Sequence, residues 1–179
     1  DSVFGDAGAD TLIADGGDDS LDGGDDADIF VVQDNFGNDT ITGGEGGNDV
    51  DTLDLSALTG PVTITYSGNE SGSVSNATGT INFTQIEQVI LADQSDAINA
   101  SGTTGGINRD GMDGDDTIIG GSGNDTISGG EGSYYISGGD GDDFLTTGQG
   151  DDTLVGGDGN DTLMNSDGDD SLVGGAGND

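Results

Sequence analysis

The sequence predicts an all-β fold, a parallel β-roll laid down in two repeat arrays with a strand-rich insert between them. Three observations predict it: a nine-residue repeat with glycine at fixed places, one apolar residue per repeat, and aspartate in great excess. Only 29% of the 179 residues are hydrophobic and 38 are glycine, too little apolar material for a two-layer globule. A solenoid needs less, because each turn covers the next.

The first array occupies residues 1–50. Its units run Gly5 to Ile13 (GDAGADTLI), Ala14 to Asp22, Gly23 to Val31, Asp34 to Thr42 (DNFGNDTIT) and Gly43 to Asp49 (GGEGGND), with a two-residue slip at Val32-Gln33. Residues 51–92 change character. TLDLSAL, VTITY and TINFTQIEQVIL carry alternating or short apolar runs that read as strands interrupting the roll. Residues 93–110 read as two degenerate units, with Ile98 and Ile107, nine apart, at the apolar place.

From Gly111 to Asp179 the frame is strict, with units beginning at 111, 120, 129, 138, 147, 156, 165 and 174. Three of them, GGSGNDTIS, GGDGDDFLT and GGDGNDTLM, match G-G-x-G-x-D-x-U-x without defect, U being apolar. The last three residues of a unit form a short strand whose middle side chain faces inward. Ile118, Ile127, Ile136, Leu145, Leu154, Leu163 and Leu172 are therefore expected to line one interior. The six residues before them reverse the chain, which explains glycine at the first, second and fourth places. Two units complete a turn of 18 residues, and loops two units apart become neighbours about 4.8 Å away.

Acidic residues number 37, of which 33 are aspartate, against one basic residue, Arg109, for a formal charge of −36. Such a chain repels nucleic acid and anionic lipid, so neither is expected as a partner, and no apolar run is long enough for membrane insertion. With no cysteine and no histidine, thiolate and imidazole metal sites are excluded, as is a zinc-protease motif within this segment. Cations are the natural partner. Stacked loops bring sixth-position carboxylates together with glycine carbonyls, an all-oxygen donor set that suits several calcium ions.

The candidate ligands are Asp10, Asp19, Asp28, Asp39 and Asp49 in the first array, stacked as Asp10 over Asp28 over Asp49 and Asp19 over Asp39. In the second they are Asp125, Asp143, Asp161 and Asp179 in one column, with carbonyls from Gly121, Gly123, Gly139, Gly141, Gly157 and Gly159. The opposite column offers Asp116, Asp152 and Asp170 but has Tyr134 at its sixth place, so weakened or absent sites are expected beside Tyr134.

A disordered linker would have no reason to keep an apolar eighth position, and a glycosidase pair is not needed where the frame already accounts for the acids. No catalytic residue is expected in this segment. The lone Arg109 is expected to pair with a nearby aspartate. Ile119, Val155 and Val173, with Tyr135 nearby, fall on one outer face and are candidates for contact with a second copy or a neighbouring domain.

Repetition of this nonapeptide in fixed register resembles the calcium-binding repeats of the RTX, or hemolysin-type, family, and Asp51 to Leu58 (DTLDLSAL) is similar to segments that interrupt other RTX arrays. The resemblance implies a right-handed β-roll, calcium held by sixth-position aspartates and loop carbonyls, and type I secretion to the outside or surface of a Gram-negative cell. It also implies a part in a longer protein, as does a chain opening at Asp1 and stopping within a repeat. That part is expected to be a rigid spacer or assembly unit of a surface layer, filament or adhesin. The alternative is the folding and secretion tail of an extracellular hydrolase.

Overall fold

The computed structural model describes residues 1–44 and 50–179, and all its regular structure is strand. In chain order the strands are β1 (Ser2–Ala7), β2 (Thr11–Ala14), β3 (Ser20–Asp25), β4 (Ile29–Val32), β5 (Asn38–Thr42), β6 (Thr52–Asp54), β7 (Thr63–Gly68), β8 (Ser71–Ser75), β9 (Thr80–Thr84) and β10 (Gln88–Ile90). There follow β11 (Ala97–Asn99), β12 (Asn108–Asp110), β13 (Thr117–Ile119), β14 (Thr126–Ser128), β15 (Tyr135–Asp140), β16 (Phe144–Thr146), β17 (Thr153–Asp158), β18 (Thr162–Met164) and β19 (Ser171–Ala176). Many span only three residues, as a nonapeptide with a six-residue loop requires.

The strands form two compact units, each a parallel β-roll. The first comprises residues 1–62 and 70–92. Strands β1, β3, β5 and β9 pair in parallel on one side, with β8 antiparallel to β9. On its other side β2, β4, β6 and β10 pair in parallel. Register stacks Leu21, Ile41 and Phe83 in one interior column and Leu12, Phe30, Leu53 and Val89 in the other. All seven are buried.

The second unit comprises residues 63–69 and 93–179. Strands β7, β11, β13, β15, β17 and β19 pair in parallel, as do β12, β14, β16 and β18. One interior column runs Ile64, Ile98, Ile118, Ile136, Leu154 and Leu172, the other Arg109, Ile127, Leu145 and Leu163. The expected interior residues are thus in line. Ile118, Ile127, Ile136, Leu145 and Leu154 are fully covered, whereas Leu163 is half-buried and Leu172 is 43% exposed in the last turn.

Two expectations are corrected here. Ile98 holds the apolar place, but Ile107 does not, because Arg109 pairs with Ile127 and so sits where the inward apolar residue belongs. Among the described residues Arg109 makes no ion pair with an aspartate: within this unit its guanidinium donates to the Tyr66 hydroxyl at 2.7 Å and lies 5.0 Å from that ring's centre. An aromatic face and a phenolic oxygen together accommodate a planar cation.

Candidate metal centre

Asp10, Asp19, Asp28, Asp116, Asp125, Asp143, Asp152, Asp161 and Asp170 each lie in a loop just before a strand, Asp39 is the second residue of β5, and register lines up loops one turn apart. Where the next turn carries a sixth-position carboxylate, the main-chain N–H of a sixth-position residue donates to it. In the second unit this ladder runs from Ile107 to Asp125, Asp143, Asp161 and Asp179, at 2.8, 2.8, 2.9 and 3.1 Å. Each step spans 18 residues, two nonapeptides. The opposite column carries Asp96 to Asp116 at 2.7 Å, then Tyr134 to Asp152 and Asp152 to Asp170 at 2.8 and 2.9 Å.

The ladder uses one oxygen of each carboxylate. In Asp10, Asp39, Asp116, Asp143, Asp152 and Asp161 the second oxygen, Oδ2, is buried and has no hydrogen-bond partner. Asp125 differs, its Oδ2 accepting from the Gly121 N–H at 2.9 Å. A buried carboxylate oxygen left without a donor is costly, and a cation removes that cost.

The space at the first glycine of a unit shows what faces that oxygen. A Cβ placed on Gly138 would run into Asp143 Oδ2 of its own unit and lie 2.8 Å from the Gly156 carbonyl oxygen of the next turn. The same pair of obstacles recurs at Gly120 (Asp125 Oδ2 and the Gly138 carbonyl), Gly156 (Asp161 Oδ2 and the Gly174 carbonyl) and Gly5 (Asp10 Oδ2 and the Gly23 carbonyl). Each cradle brings together two acceptors and no side-chain donor, an arrangement that a bound cation would relieve. The carbonyls of Gly121, Gly139, Gly123 and Gly141 follow the same order, each lying against the glycine one turn on: Gly139, Gly157, Gly141 and Gly159.

Electrostatics agree. Burial pushes Asp39, Asp116 and Asp143 up from 3.8 to about 6, with neighbouring aspartates adding to the shift and main-chain donors opposing it. Asp125 is also raised by burial, with Arg109 among the influences that lower it. Two ionised carboxylates one strand spacing apart repel by about 3.5 kcal/mol at an effective dielectric near 20. That rivals the ~1.5–3 kcal/mol gained by burying one interior leucine. Among the described residues no three carboxylates cluster as a metal site, so an ion here must draw on main-chain carbonyls.

In the first unit Asp10, Asp28, Asp19 and Asp39 stack in the expected pairs, Asp10 with Asp28 at 2.8 Å and Asp19 with Asp39 at 2.9 Å. Asp49 lies outside the described residues. The carboxylate stacked with Asp28 is Asp51, at 2.8 Å, and Glu87 in turn accepts the Asp51 N–H at 2.7 Å. A Cβ on Gly43 would meet Asp51 Oδ2 and the Gln85 carbonyl, repeating the glycine cradle outside the nonapeptide frame. Asp51, Glu87 and Asp96 are thus members of the ladder that sequence reasoning missed. For Asp51 a signal existed: Asp51-Thr52-Leu53 repeats the DTL of Asp10, Asp152 and Asp161. Asp96, two residues before Ile98, follows the same spacing.

A parallel β-roll with stacked acceptor loops defines a cation-binding repeat solenoid. Comparison with protein-family models places the RTX calcium-binding nonapeptide repeat at residues 1–30, 31–54, 110–145, 135–163 and 164–179, well over half of the chain. The chain belongs to the RTX calcium-binding nonapeptide repeat family. The match through residue 54 takes in Asp51. A comparison with curated proteins found no match.

Proposed function

We propose that the chain is a calcium-folded structural module of a secreted protein, working as a rigid spacer or assembly unit in a surface layer, filament or adhesin. The observation that carries this reading is the repeated cradle of a buried aspartate oxygen and a neighbouring turn's carbonyl. Asp10, Asp19, Asp28, Asp39 and Asp51 would hold ions in the first unit. Asp116, Asp152 and Asp170, and Asp125, Asp143, Asp161 and Asp179 with the carbonyls of Gly121, Gly123, Gly139, Gly141, Gly157 and Gly159, would do so in the second. Bound calcium supplies positive charge between acceptors and does no chemistry on a substrate.

Extracellular calcium modules bind at about 10⁻⁴ to 10⁻³ M, so the chain would stay unfolded in a low-calcium cytosol and fold on export. Among the described residues no helix is long and apolar enough to cross a membrane. An assembly role draws support from the outer face of the second unit, where Tyr135 is 44% and Val173 50% exposed. Ile119, Ser137, Val155 and Val173 stand in one register column there.

The test is circular dichroism of the chelated chain titrated with calcium, with magnesium as control. A cooperative gain of β signal with calcium alone is expected; no gain would sink the reading. For assembly, sedimentation of Val155→Asp beside the parent protein in calcium decides. Unaltered self-association would remove the outer face as a contact.

A further inference from the structure

The break in the second unit's ladder is itself a built feature. Tyr134 stands at a sixth position and is 98% buried in a loop column that otherwise presents Asp96, Asp116, Asp152 and Asp170, its relative exposure being 2%. Its ring takes the space that carboxylate and carbonyl oxygens occupy elsewhere. A Cβ on Gly129 would lie 3.0 Å from Tyr134 Cγ and Cδ2, whereas the equivalent atom on Gly138 meets Asp143 Oδ2. On Gly111 it would lie 3.0 Å from both Asp116 Oδ2 and Tyr134 Cε1, whereas on Gly120 it meets Asp125 Oδ2 and the Gly138 carbonyl. The ring thus stands where the next turn's carbonyl would be, while the Asp116 carboxylate remains.

The hydroxyl completes the replacement. It donates to the Met112 carbonyl oxygen at 2.7 Å. Met112 is the counterpart of Gly121, since the Met112 carbonyl lies against Gly130 as the Gly121 carbonyl lies against Gly139. Aspartate and a carbonyl are both acceptors and need a cation between them; a phenol carries its own donor and needs none. Met112 also holds φ at 64°, a backbone region that side chains other than glycine seldom adopt, and the Tyr134 hydroxyl fastens that strained residue.

We infer that Tyr134 stands in for a calcium ion between the turn at 111–119 and the turn at 129–137, joining them by packing and a hydrogen bond so that this junction takes no metal. The inference rests on the calcium reading of the other loops. It assigns the column two separate ion-binding stretches, one at Asp96 and Asp116 and one at Asp152 and Asp170, with a metal-free junction between. A neutral ring there also adds no charge to a chain carrying −36.

The experiment is calorimetric calcium titration of the full chain, comparing the parent with Tyr134→Asp and Tyr134→Phe, together with amide exchange in calcium. Tyr134→Asp restores a carboxylate between Asp116 and Asp152 and should take up about one to two further ions per chain. Tyr134→Phe keeps the ring and should bind as many ions as the parent. Its Gly114 and Tyr135 amides, which bond across the junction to Glu131 and Asp116, should exchange about tenfold faster. An unchanged ion count in folded Tyr134→Asp, or extra calcium in Tyr134→Phe, overturns the inference. Should Tyr134→Asp fail to fold, the two Tyr134→Phe readings decide, and unchanged exchange counts against it. A parent chain that binds no calcium overturns the calcium reading and this inference with it.

Discussion

In the second unit the two loop columns follow one 18-residue register, yet one is continuous and the other interrupted. From Ile107 to Asp179 every step places an N–H on an aspartate oxygen. In the opposite column the Asp116 step meets Tyr134, whose side chain bonds Met112 instead. The strands on either side continue regardless, with Ile118, Ile136 and Leu154 fully buried in line. What carries the fold past a missing carboxylate is therefore the apolar column. On the calcium reading, the carboxylates are what give a loop its need for an ion.

Removing calcium should have the largest effect and should erase the difference between columns. With chelator at neutral pH both columns keep their repulsion without compensation, so the β signal in circular dichroism should be lost throughout. Persistent full β signal would mean that the stacks hold without metal.

Single carboxylates should separate the columns. Asp143 has carboxylate neighbours on both sides, Asp125 and Asp161, whereas Asp116 has one, Asp96. Asp143→Ala should cost about two bound ions and Asp116→Ala about one, read by calcium titration. Equal losses would contradict a broken column.

First-position glycines should differ less. Gly138→Ala drives a methyl into Asp143 Oδ2 and should destabilise the calcium form by about 1–3 kcal/mol. Gly111→Ala meets only contacts at 3.0 Å or more and should cost under about 1 kcal/mol. Thermal unfolding in saturating calcium measures both.

The smallest effect is that of pH. Asp116 and Asp143, one in each column, rise from 3.8 to about 6 in the ion-free roll. A raised pKa stabilises the folded chain below the unfolded value and is lost as pH climbs through about 6. Chelated protein should hence gain some β signal as pH falls from about 7.5 to about 5, while the calcium midpoint shifts upward because protons compete. A flat profile in chelator would show that these carboxylates do not hold protons in a folded ion-free chain.

Much of the roll and of its candidate ion loops is legible in the amino-acid sequence. In the intact units of the frame from Gly111 onward, those opening at 120, 138 and 156, turn glycines, a sixth-position aspartate and an inward residue come together, so the stacked Asp125, Asp143 and Asp161 follow from counting. Counting fails where loops lengthen. The step from Asp28 to its partner spans 23 residues and that from Asp51 to Glu87 spans 36, against 18 in regular turns. Extrapolating nine residues from Ile98 likewise points to Ile107, while register places Arg109 inward because Tyr66, 43 residues earlier, receives its guanidinium.

By itself the sequence determined the β-roll, its 18-residue turn and its demand for cations, because those are properties of one nonapeptide repeated. The tertiary structure alone decided that Asp51 and Glu87 extend a stack, that Arg109 enters an interior column, and that Tyr134 reaches Met112. Those pairings join residues brought together by strand register across loops of unequal length, and no local pattern specifies them.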